Sequence, residues 1–433
     1  MTDRPLLERL GLHRPELRAW ALYDWANSAF VLLIITAIFP VYYRLSLAAG
    51  LTPASATATY GWATSISLAA VAILAPFAGA MADRLAIRKR LLGFCVVTGA
   101  IATALLALPR EGAWLAGLVL FGLANAGLTG SFVFYDSLLP HIASGDELDR
   151  VSAGGFALGY LGSGLLLLAA VAVIEYPAVF GLADAGTATR LSFVAVALWW
   201  ALFSIPLFRR VPEPPSVAAG PRGEGGQAAA ALRGLAVTWK DLRGNHRDAF
   251  RLLIAIMFYN EGIGTIIRMA ALYAAGVGIA QAEIIGAILV VQFAGVPFSF
   301  LMGNLAGRIG TKNTILLGLA VYSMICIVAY RMQSTQEFYL LALLVAAVQG
   351  GTQALSRSLF SSMIPRARSA ELFGYYALFE KVSGLVGPAL FGILALAAGS
   401  SRTAILSVLA FFVVGAALLT RTNVARGRAL AGS

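Results

Sequence analysis

The stretch VSAGGFALGYLGSGLLLLAAVAVI, residues 151–174, runs from end to end without a charged side chain. A helix of about 20 apolar residues is long enough to cross the hydrocarbon core of a membrane. Because that core offers the backbone no hydrogen-bond partner, a crossing segment must be a helix or a strand of a closed barrel. This run is too long and too continuously apolar for a barrel strand, so it predicts a membrane-spanning helix.

The whole chain is rich in apolar residues and poor in charged ones. Of its 433 residues, 59% are hydrophobic and 12% are charged, whereas a soluble domain has about 45–50% apolar and about 25% charged residues. The first apolar run continues past the length of a signal peptide, so we expect no cleavable one. The composition predicts an all-α membrane protein with twelve transmembrane helices, at residues 19–43, 57–82, 91–108, 113–139, 151–174, 190–208, 248–275, 281–303, 313–330, 336–362, 370–398 and 402–420.

One long connection divides the predicted helices into two sets of six. Residues 209–247 are rich in Pro, Gly and Ala, a composition typical of a flexible linker. We therefore predict a six-helix bundle over residues 1–208, a cytoplasmic linker over 209–247 and a second six-helix bundle over 248–433. At the end of the linker, residues 239–251 are expected to form a short amphipathic helix on the membrane surface.

The basic residues predict the orientation. Most of the 32 Lys and Arg residues fall in alternate loops, which are cytoplasmic if the N-terminus is inside. This bias places both termini and the linker in the cytoplasm of a multi-pass protein, which we expect in the bacterial inner membrane. The net charge of +11 is then mostly a topology signal. We expect the protein to be a monomer that contacts membrane lipids and binds no nucleic acid.

The sequence contains no recognisable motif for catalysis, metal binding or nucleotide binding. Both cysteines, Cys95 and Cys326, lie inside apolar runs and the three histidines are scattered in loops, so no disulfide framework or metal site is indicated. The chain has no GxxxxGK[ST] phosphate-binding loop and no recognisable set of nucleophile, base and orienting residue. We expect neither an enzyme nor an ATP-driven pump, and no metal or cofactor.

The two halves share an internal repeat. A shift of 224 residues superposes their basic loops and some of their amides. The superposed pairs are Gly79 with Gly303, Arg84 with Arg308, Arg88 with Lys312, and Asn125 with Gln349. Chance similarity among small residues is the alternative to a duplicated six-helix unit. Parallel repeats of this kind are typical of transporters that bind their substrate near the midplane between two halves.

The stretch GAMADRLAIRKR, residues 79–90, resembles the inner-loop signature of the major facilitator superfamily. The residues that fit the signature are Gly79, Ala82, Asp83, Arg84, Arg88 and Lys89. The stretch GNLAGRIGTK, residues 303–312, is a degenerate second copy in which Gly307 stands in place of the acid. We therefore expect an acid-dependent lock to be weaker at the second copy.

Three further stretches narrow the resemblance. YDWANSAF at 23–30, VSAGGFALGYLG at 151–162 and QGGTQALSRSLFSSMIP at 349–365 are similar to the "unknown major facilitator" family. That family includes the autophagy-related vacuolar amino-acid effluxers, and the resemblance extends from Trp20 to about Gly392. It implies the major facilitator fold, two pseudo-symmetric six-helix bundles that rock about a central cavity lined by the first, fourth, seventh and tenth spans.

Polar residues inside predicted spans are candidates for function, because a charged residue at the bilayer centre costs at least about 2.5–3.5 kcal/mol. Here they concentrate on the four spans that the resemblance assigns to the cavity. Glu261, near the midplane, is expected to carry a coupling proton or hold a substrate amine, and a static salt bridge with Arg268 is the alternative. The candidates for substrate binding or coupling are Tyr23, Asn27, Asn125, Asn260, Glu261, Arg268, Gln349 and Gln353.

A second group of charged residues lies near the inner ends of the spans. Asp24 and Arg357 have similar shallow depths, which predicts an ion pair between the halves that acts as an inner gate. The alternative is that both side chains simply extend to the inner interface. Asp136 is predicted to pair with Arg84 or Arg88. The full set of predicted gate residues is Asp24, Arg357, Gly79, Asp83, Arg84, Arg88, Asp136, Gly303, Arg308 and Lys312.

These features predict a secondary transporter that exports a small polar solute by alternating access, with or without proton coupling. An acid, a base and several amides suit an amino acid or a similar zwitterion, and they fit peptides, sugar acids or drugs nearly as well. A lipid flippase or drug exporter of the same fold is one alternative, which requires an apolar lateral opening. The other alternative is a membrane sensor that transports nothing.

Overall fold

The computed structural model describes residues 5–216, 226–398 and 401–432, and within these ranges it contains helices and no strand. Twelve helices follow the order of the twelve predicted spans. In the described part of the chain, nine helices are by themselves long and apolar enough to cross a membrane, or ten if a pair bent by 62° at the end of the chain is counted as one span. The helices are α1 (Pro15–Leu47), α2 (Pro53–Leu85), α3 (Arg88–Leu105), α4 (Trp114–Ile142), α5 (Glu147–Glu175), α6 (Ala185–Arg210), α7 (Arg247–Val277), α8 (Gln281–Ile309), α9 (Thr311–Arg331), α10 (Thr335–Ser362), α11 (Ser369–Ala398) and α12 (Ser401–Thr420).

Buried apolar side chains form two clusters. One consists almost wholly of residues from α1–α6, with Trp20 and Trp200 among its largest members. The other consists of residues from α7–α12 and the helix before α7, and includes Tyr259 and Tyr322. We call the residues up to α6 the N-half and those from α7 onward the C-half. The end of the bundle that holds the basic loops, the predicted cytoplasmic face, is called the inner end.

The halves touch at the inner end through close helix contacts. A Cβ atom on Gly79 of α2 would overlap the carbonyl oxygen of Ala370 in α11. A Cβ atom on Gly303 of α8 would lie 2.6 Å from the Cβ of Ala153 in α5. Only glycine fits at either place, because small residues allow helices to approach this closely. Both glycines were predicted at the gate, and both lie where the two halves meet.

Gly79→Ala is expected to hold the inner end partly open. The added methyl group must push α2 from α11, and overpacking of this kind costs about 1–3 kcal/mol. The readout is the distance between spin labels at Arg90 and Asn313, two exposed inner positions in opposite halves, in a protein whose cysteines are replaced by serine. Gly122→Ala is the control, since nothing lies within 4 Å of its Cβ position. Unchanged distances in Gly79→Ala would contradict the packing account.

The connection between the halves contains a helix that the sequence analysis placed wrongly. Residues Gly226–Gly244 are helical, and α7 begins at Arg247, so no continuous helix covers 239–251. Asn245 and His246 form a turn that separates the two helices. Trp239 is half-buried, and its ring centroid lies 5.4 Å from that of Phe250 and 6.1 Å from that of Phe379.

This linker helix is fixed to α11 by polar contacts as well. The hydroxyl of Tyr375 donates to the carbonyl oxygen of Leu235 at 2.8 Å. Arg368 Nη1, just before α11, lies 3.0 Å from Asp241 Oδ2. The part of the linker that the structure describes between 226 and 244 is therefore an ordered helix rather than a flexible tether.

Candidate functional site

Arg357 of α10 lies at the centre of a buried ionic cluster at the inner end. Its helix begins with a capping box, in which Ser334 and Glu337 bond each other's backbone. Its side chain is 5% exposed, and the guanidinium faces two carboxylates of the N-half. Nη2 donates to Asp24 Oδ2 of α1 at 3.0 Å, and Nη1 donates to Asp136 Oδ1 of α4 at 3.1 Å. One C-half side chain thus binds two helices of the other half.

A third N-half helix completes the cluster. Arg357 Nε donates to the hydroxyl of Ser152 in α5 at 2.9 Å, and Nη2 donates to the Ser152 carbonyl oxygen at 3.1 Å. Aromatic rings cover the guanidinium, with the Trp20 ring at 4.6 Å, the Phe156 ring at 4.8 Å and the Tyr135 ring at 5.4 Å. Arginine suits this place because its planar fork makes several directed hydrogen bonds and also stacks on aromatic faces.

Gly155 allows Asp24 to reach the arginine. A Cβ atom on Gly155 would overlap Asp24 Oδ2, so any larger residue there would displace the carboxylate. Asn27, one turn further along α1, approaches the other oxygen of Asp24 with a weak contact of 3.5 Å. The absence of a side chain at Gly155 therefore leaves the space in which the Asp24 carboxylate meets Arg357.

The predicted partner of Asp136 is wrong. Asp136 contacts Arg357, whereas Arg88 is already bonded to Asp83, with Nη2 2.6 Å and Nε 2.9 Å from Asp83 Oδ1. Depth in the membrane alone does not say which face of α4 carries Asp136. The structure orients it toward the C-half rather than toward the loop between α2 and α3.

Asp83 forms a separate contact between the halves. Its two oxygens accept the backbone N–H groups of Ala370 at 3.1 Å and Glu371 at 2.9 Å, in the first turn of α11. A carboxylate is favourable at a helix N-terminus, where N–H groups are unpaired and the helix dipole is positive. Arg88, which is fully buried, holds the same carboxylate and reaches the carbonyl oxygen of Ala367 at 3.4 Å. We call this group the first lock.

The second copy of the signature loop makes different contacts. Lys312 donates to the carbonyl oxygens of Thr420 at 2.8 Å and Thr422 at 2.9 Å, at the end of α12 within the C-half. Arg308 is exposed, and in the N-half Arg84 lies near Gly234 of the linker helix. These three predicted gate residues are thus placed at the inner end but outside the two ionic clusters.

The residues predicted for substrate binding separate into two groups. Tyr23 is fully buried with its ring 4.7 Å from that of Tyr135, and Asn125 donates to Ser67 of α2 at 2.8 Å. Both side chains therefore take part in packing within the N-half. Asn27 lies beside Asp24 in the Arg357 cluster.

The second group lies on α7 and α10 of the C-half. Glu261 is 3% exposed and accepts the backbone N–H of Gly387 in α11 at 2.5 Å. Asn260 is half-buried, and among the described residues its Oδ1 atom has no hydrogen-bond partner. Arg268 is exposed, two turns from Glu261 on the same helix. Gln349 and Gln353 are half-buried on α10.

Several residues of the site were missed by the sequence analysis. Ser152 and the three aromatic residues around Arg357 carry no charge. Their burial in a membrane helix costs little, so they do not stand out in the sequence as candidates for function. Midway along the helices, Ser163 of α5 donates to Gln292 Oε1 of α8 at 3.2 Å, which is a further contact between the halves. The run of glycines around Ser152 is the feature that could have indicated a close helix contact there.

The fold and the contacts between its halves define a transporter of the major facilitator superfamily. The sequence model of the family described as "Vacuole effluxer Atg22 like" matches residues 49–432, and the chain belongs to this family. The family and the fold predicted from the sequence are thus confirmed. The relatives are transporters, and this chain is a transporter rather than an enzyme.

Individual relatives agree with this assignment. The chain is 36% identical over 409 residues to "Uncharacterized MFS-type transporter YxiO" of Bacillus subtilis, covering 93% of each protein. It is 25% identical over 316 residues to autophagy-related protein 22-1 of Aspergillus fumigatus, covering 66% of this chain and about half, 51%, of the fungal protein. The crystal structure of the human organic anion transporter MFSD10 superposes with a TM-score of 0.68 at 15% identity, covering 96% of this chain and 100% of that one.

Proposed function

We propose that this protein exports a small zwitterion, an amino acid or a similar solute, by alternating access across the bacterial plasma membrane. The observation that carries the proposal is the Arg357 cluster. It joins the C-half to α1, α4 and α5 of the N-half at the inner end, so the inner side can open only if this cluster breaks. A buried ion pair that must separate during function fits a gate better than a static support.

The polar residues of the C-half support a zwitterionic substrate. Glu261 supplies a carboxylate, and the adjacent Asn260 supplies a buried oxygen without a hydrogen-bond partner among the described residues. Buried polar atoms are usually satisfied, so an unpartnered acceptor is a fitting place for a donor that the substrate brings. A primary ammonium group is such a donor. Arg268 offers a guanidinium for a carboxylate two turns away. The description of the family as vacuole effluxers favours export over import.

Counterflow in proteoliposomes tests the substrate class. Vesicles loaded with one unlabelled amino acid are expected to accumulate the same labelled amino acid, and Asn260→Ala is expected to weaken this uptake. Gly122→Ala, an open position on α4, serves as the control. Counterflow with sugar acids or drugs alone would overturn the amino-acid proposal. Lipid scrambling without any counterflow would instead indicate a flippase.

Glu261→Gln is expected to uncouple transport from a proton gradient. A carboxamide keeps the size of the side chain but cannot take up and release a proton, so gradient-driven accumulation should fall to the level seen without a gradient. Counterflow, which needs no gradient, should weaken because the substrate loses a carboxylate partner, but it should persist. Glu111→Gln, in the exposed loop between α3 and α4, is the control. If neither the wild type nor Glu261→Gln responds to a gradient, Glu261 has no coupling role.

A further inference from the structure

We infer that Asp149 is the carboxylate of a second lock at the inner end, and that it lies on the opposite side of the interface from the position that the repeat assigns to an acid. It is a positioning residue, since it acts on the two halves and not on the solute. The inference rests on the proposed alternating access and not on the identity of the substrate.

The contacts of Asp149 cross between the halves. Asp149 lies in the first turn of α5 and is 4% exposed. Its Oδ2 atom accepts the hydroxyl of Thr311, the first residue of α9, at 2.7 Å. Its Oδ1 atom accepts the hydroxyl of Ser358 in α10. A charged acceptor strengthens each of these hydrogen bonds relative to a neutral pair. One N-half carboxylate therefore joins two helices of the C-half.

The repeat shows that this arrangement is the counterpart of the first lock. In the first lock, Asp83 at the end of α2 binds the first turn of α11. A shift of 224 residues carries position 149 to 373, near the start of α11, and position 311 to 87, in the loop between α2 and α3. The same two kinds of element therefore meet in both locks. The acid is on the loop side in the first lock and on the facing helix in the second.

The close helix approach beside each lock supports the same correspondence. Gly79 lies against Ala370 in the first lock, and Gly303 lies against Ala153 in the second. Gly79 and Gly303 are themselves superposed by the shift of 224 residues. In each lock, one of these two equivalent glycines thus lies against the first or second turn of the facing helix, close to the carboxylate contact.

The acid of the second lock is at position 149 rather than at position 307, where the repeat would place it. Gly307 occupies the position of Asp83 in the repeat, and nothing lies within 4 Å of its Cβ position, so space does not exclude an acid there. The facing end of α5, however, carries Asp146, Glu147 and Asp149 in its cap and first turn. The facing helix already supplies a carboxylate to this contact, that of Asp149. The expectation of a weaker acid-dependent lock concerned position 307, whereas the carboxylate of the proposed second lock is at position 149.

Inter-half distances test the second lock without a substrate. Spin labels at Arg90 and Asn313 report whether the inner ends of the halves separate. Asp149→Ala is expected to raise the fraction of molecules with separated inner ends by about tenfold or more, the effect of losing a hydrogen bond to a charged group. Ser358→Ala removes one donor and keeps the carboxylate, so it should shift the distances in the same direction by less. Asp184→Asn, in the exposed loop before α6, should leave them unchanged.

Two outcomes would overturn the inference. One is that Asp149→Ala and Ser358→Ala both keep the wild-type distance distribution. The other is that both variants lower the melting temperature without separating the inner ends, which would mean an ordinary structural role. If Asp149→Ala does not fold, the result for Ser358→Ala decides. Failure of every amino acid in counterflow would overturn the proposed substrate and leave this distance measurement valid.

Discussion

Arg357→Ala is expected to abolish transport and to destabilise the folded protein by about 3–5 kcal/mol, the usual effect of removing one partner of a buried ion pair. The reason is that Asp24 and Asp136, which are 5% and 8% exposed, both lose the guanidinium that they contact. Counterflow and the melting temperature in detergent measure the two effects.

Arg357→Lys separates charge from geometry. Lysine keeps the positive charge but cannot bond Asp24, Asp136 and Ser152 at once with a planar fork. We expect a stability between those of the wild type and Arg357→Ala, with transport still strongly reduced. Wild-type stability and transport in Arg357→Ala would show that the cluster neither stabilises the closed inner end nor takes part in gating.

Asp83→Ala is expected to have an effect of similar size, about 3–5 kcal/mol, because it leaves Arg88 as a buried cation without its carboxylate. The first turn of α11 also loses its capping acceptor for Ala370 and Glu371. The melting temperature should fall, and the label distance between Arg90 and Asn313 should lengthen.

The double variant Asp83→Ala with Arg88→Met is the control for this prediction. Replacing both members of a buried pair by apolar residues removes the orphan charge, so the double variant should be more stable than Asp83→Ala alone. The label distance should nevertheless stay long, since α11 is still uncapped. A double variant as unstable as the single one would mean that burial of Arg88 is not the source of the cost.

The sequence predicted the spans well because hydropathy is a property of each segment alone. It also indicated Asp24 and Arg357, which are 333 positions apart, because charged residues in apolar runs are rare and these two have similar depth. Depth in the membrane does not say in which direction a side chain points from its helix. The partner of Asp136 depends on how α4 is rotated about its axis, and no local pattern in the sequence reports this rotation.

The residues that escaped prediction are mostly neutral. Ser152, Thr311 and Ser358 are small hydroxyl side chains, which are common in membrane helices and which usually bond their own helix backbone. Here their role depends on a charged residue of the other half. Ser152 accepts a hydrogen bond from Arg357, and Thr311 and Ser358 donate to Asp149. Contacts of this kind follow from packing between distant segments rather than from composition.

The three inner contacts have a common consequence for transport. The first lock, the Arg357 cluster and the Asp149 contact all join opposite halves at the inner end, and all consist of buried carboxylates with directed donors. Closing the inner side therefore gains many specific bonds at once, while opening it exposes charged groups to water that can solvate them. Under the proposed alternating access, solvation of these groups in the open state would offset the loss of their bonds.

The most direct test of the central claim is an exchange of the paired charges across the gate. Because Arg357→Asp would face Asp136 as well, the exchange Asp24→Arg with Arg357→Asp is made together with Asp136→Asn. The coupling between residues in contact is about 0.5–3 kcal/mol, so the exchanged protein should regain counterflow well above that of Asp24→Arg or Arg357→Asp in the same Asp136→Asn background. Counterflow no faster than in either of these two variants would contradict the account that Asp24 and Arg357 form the inner gate.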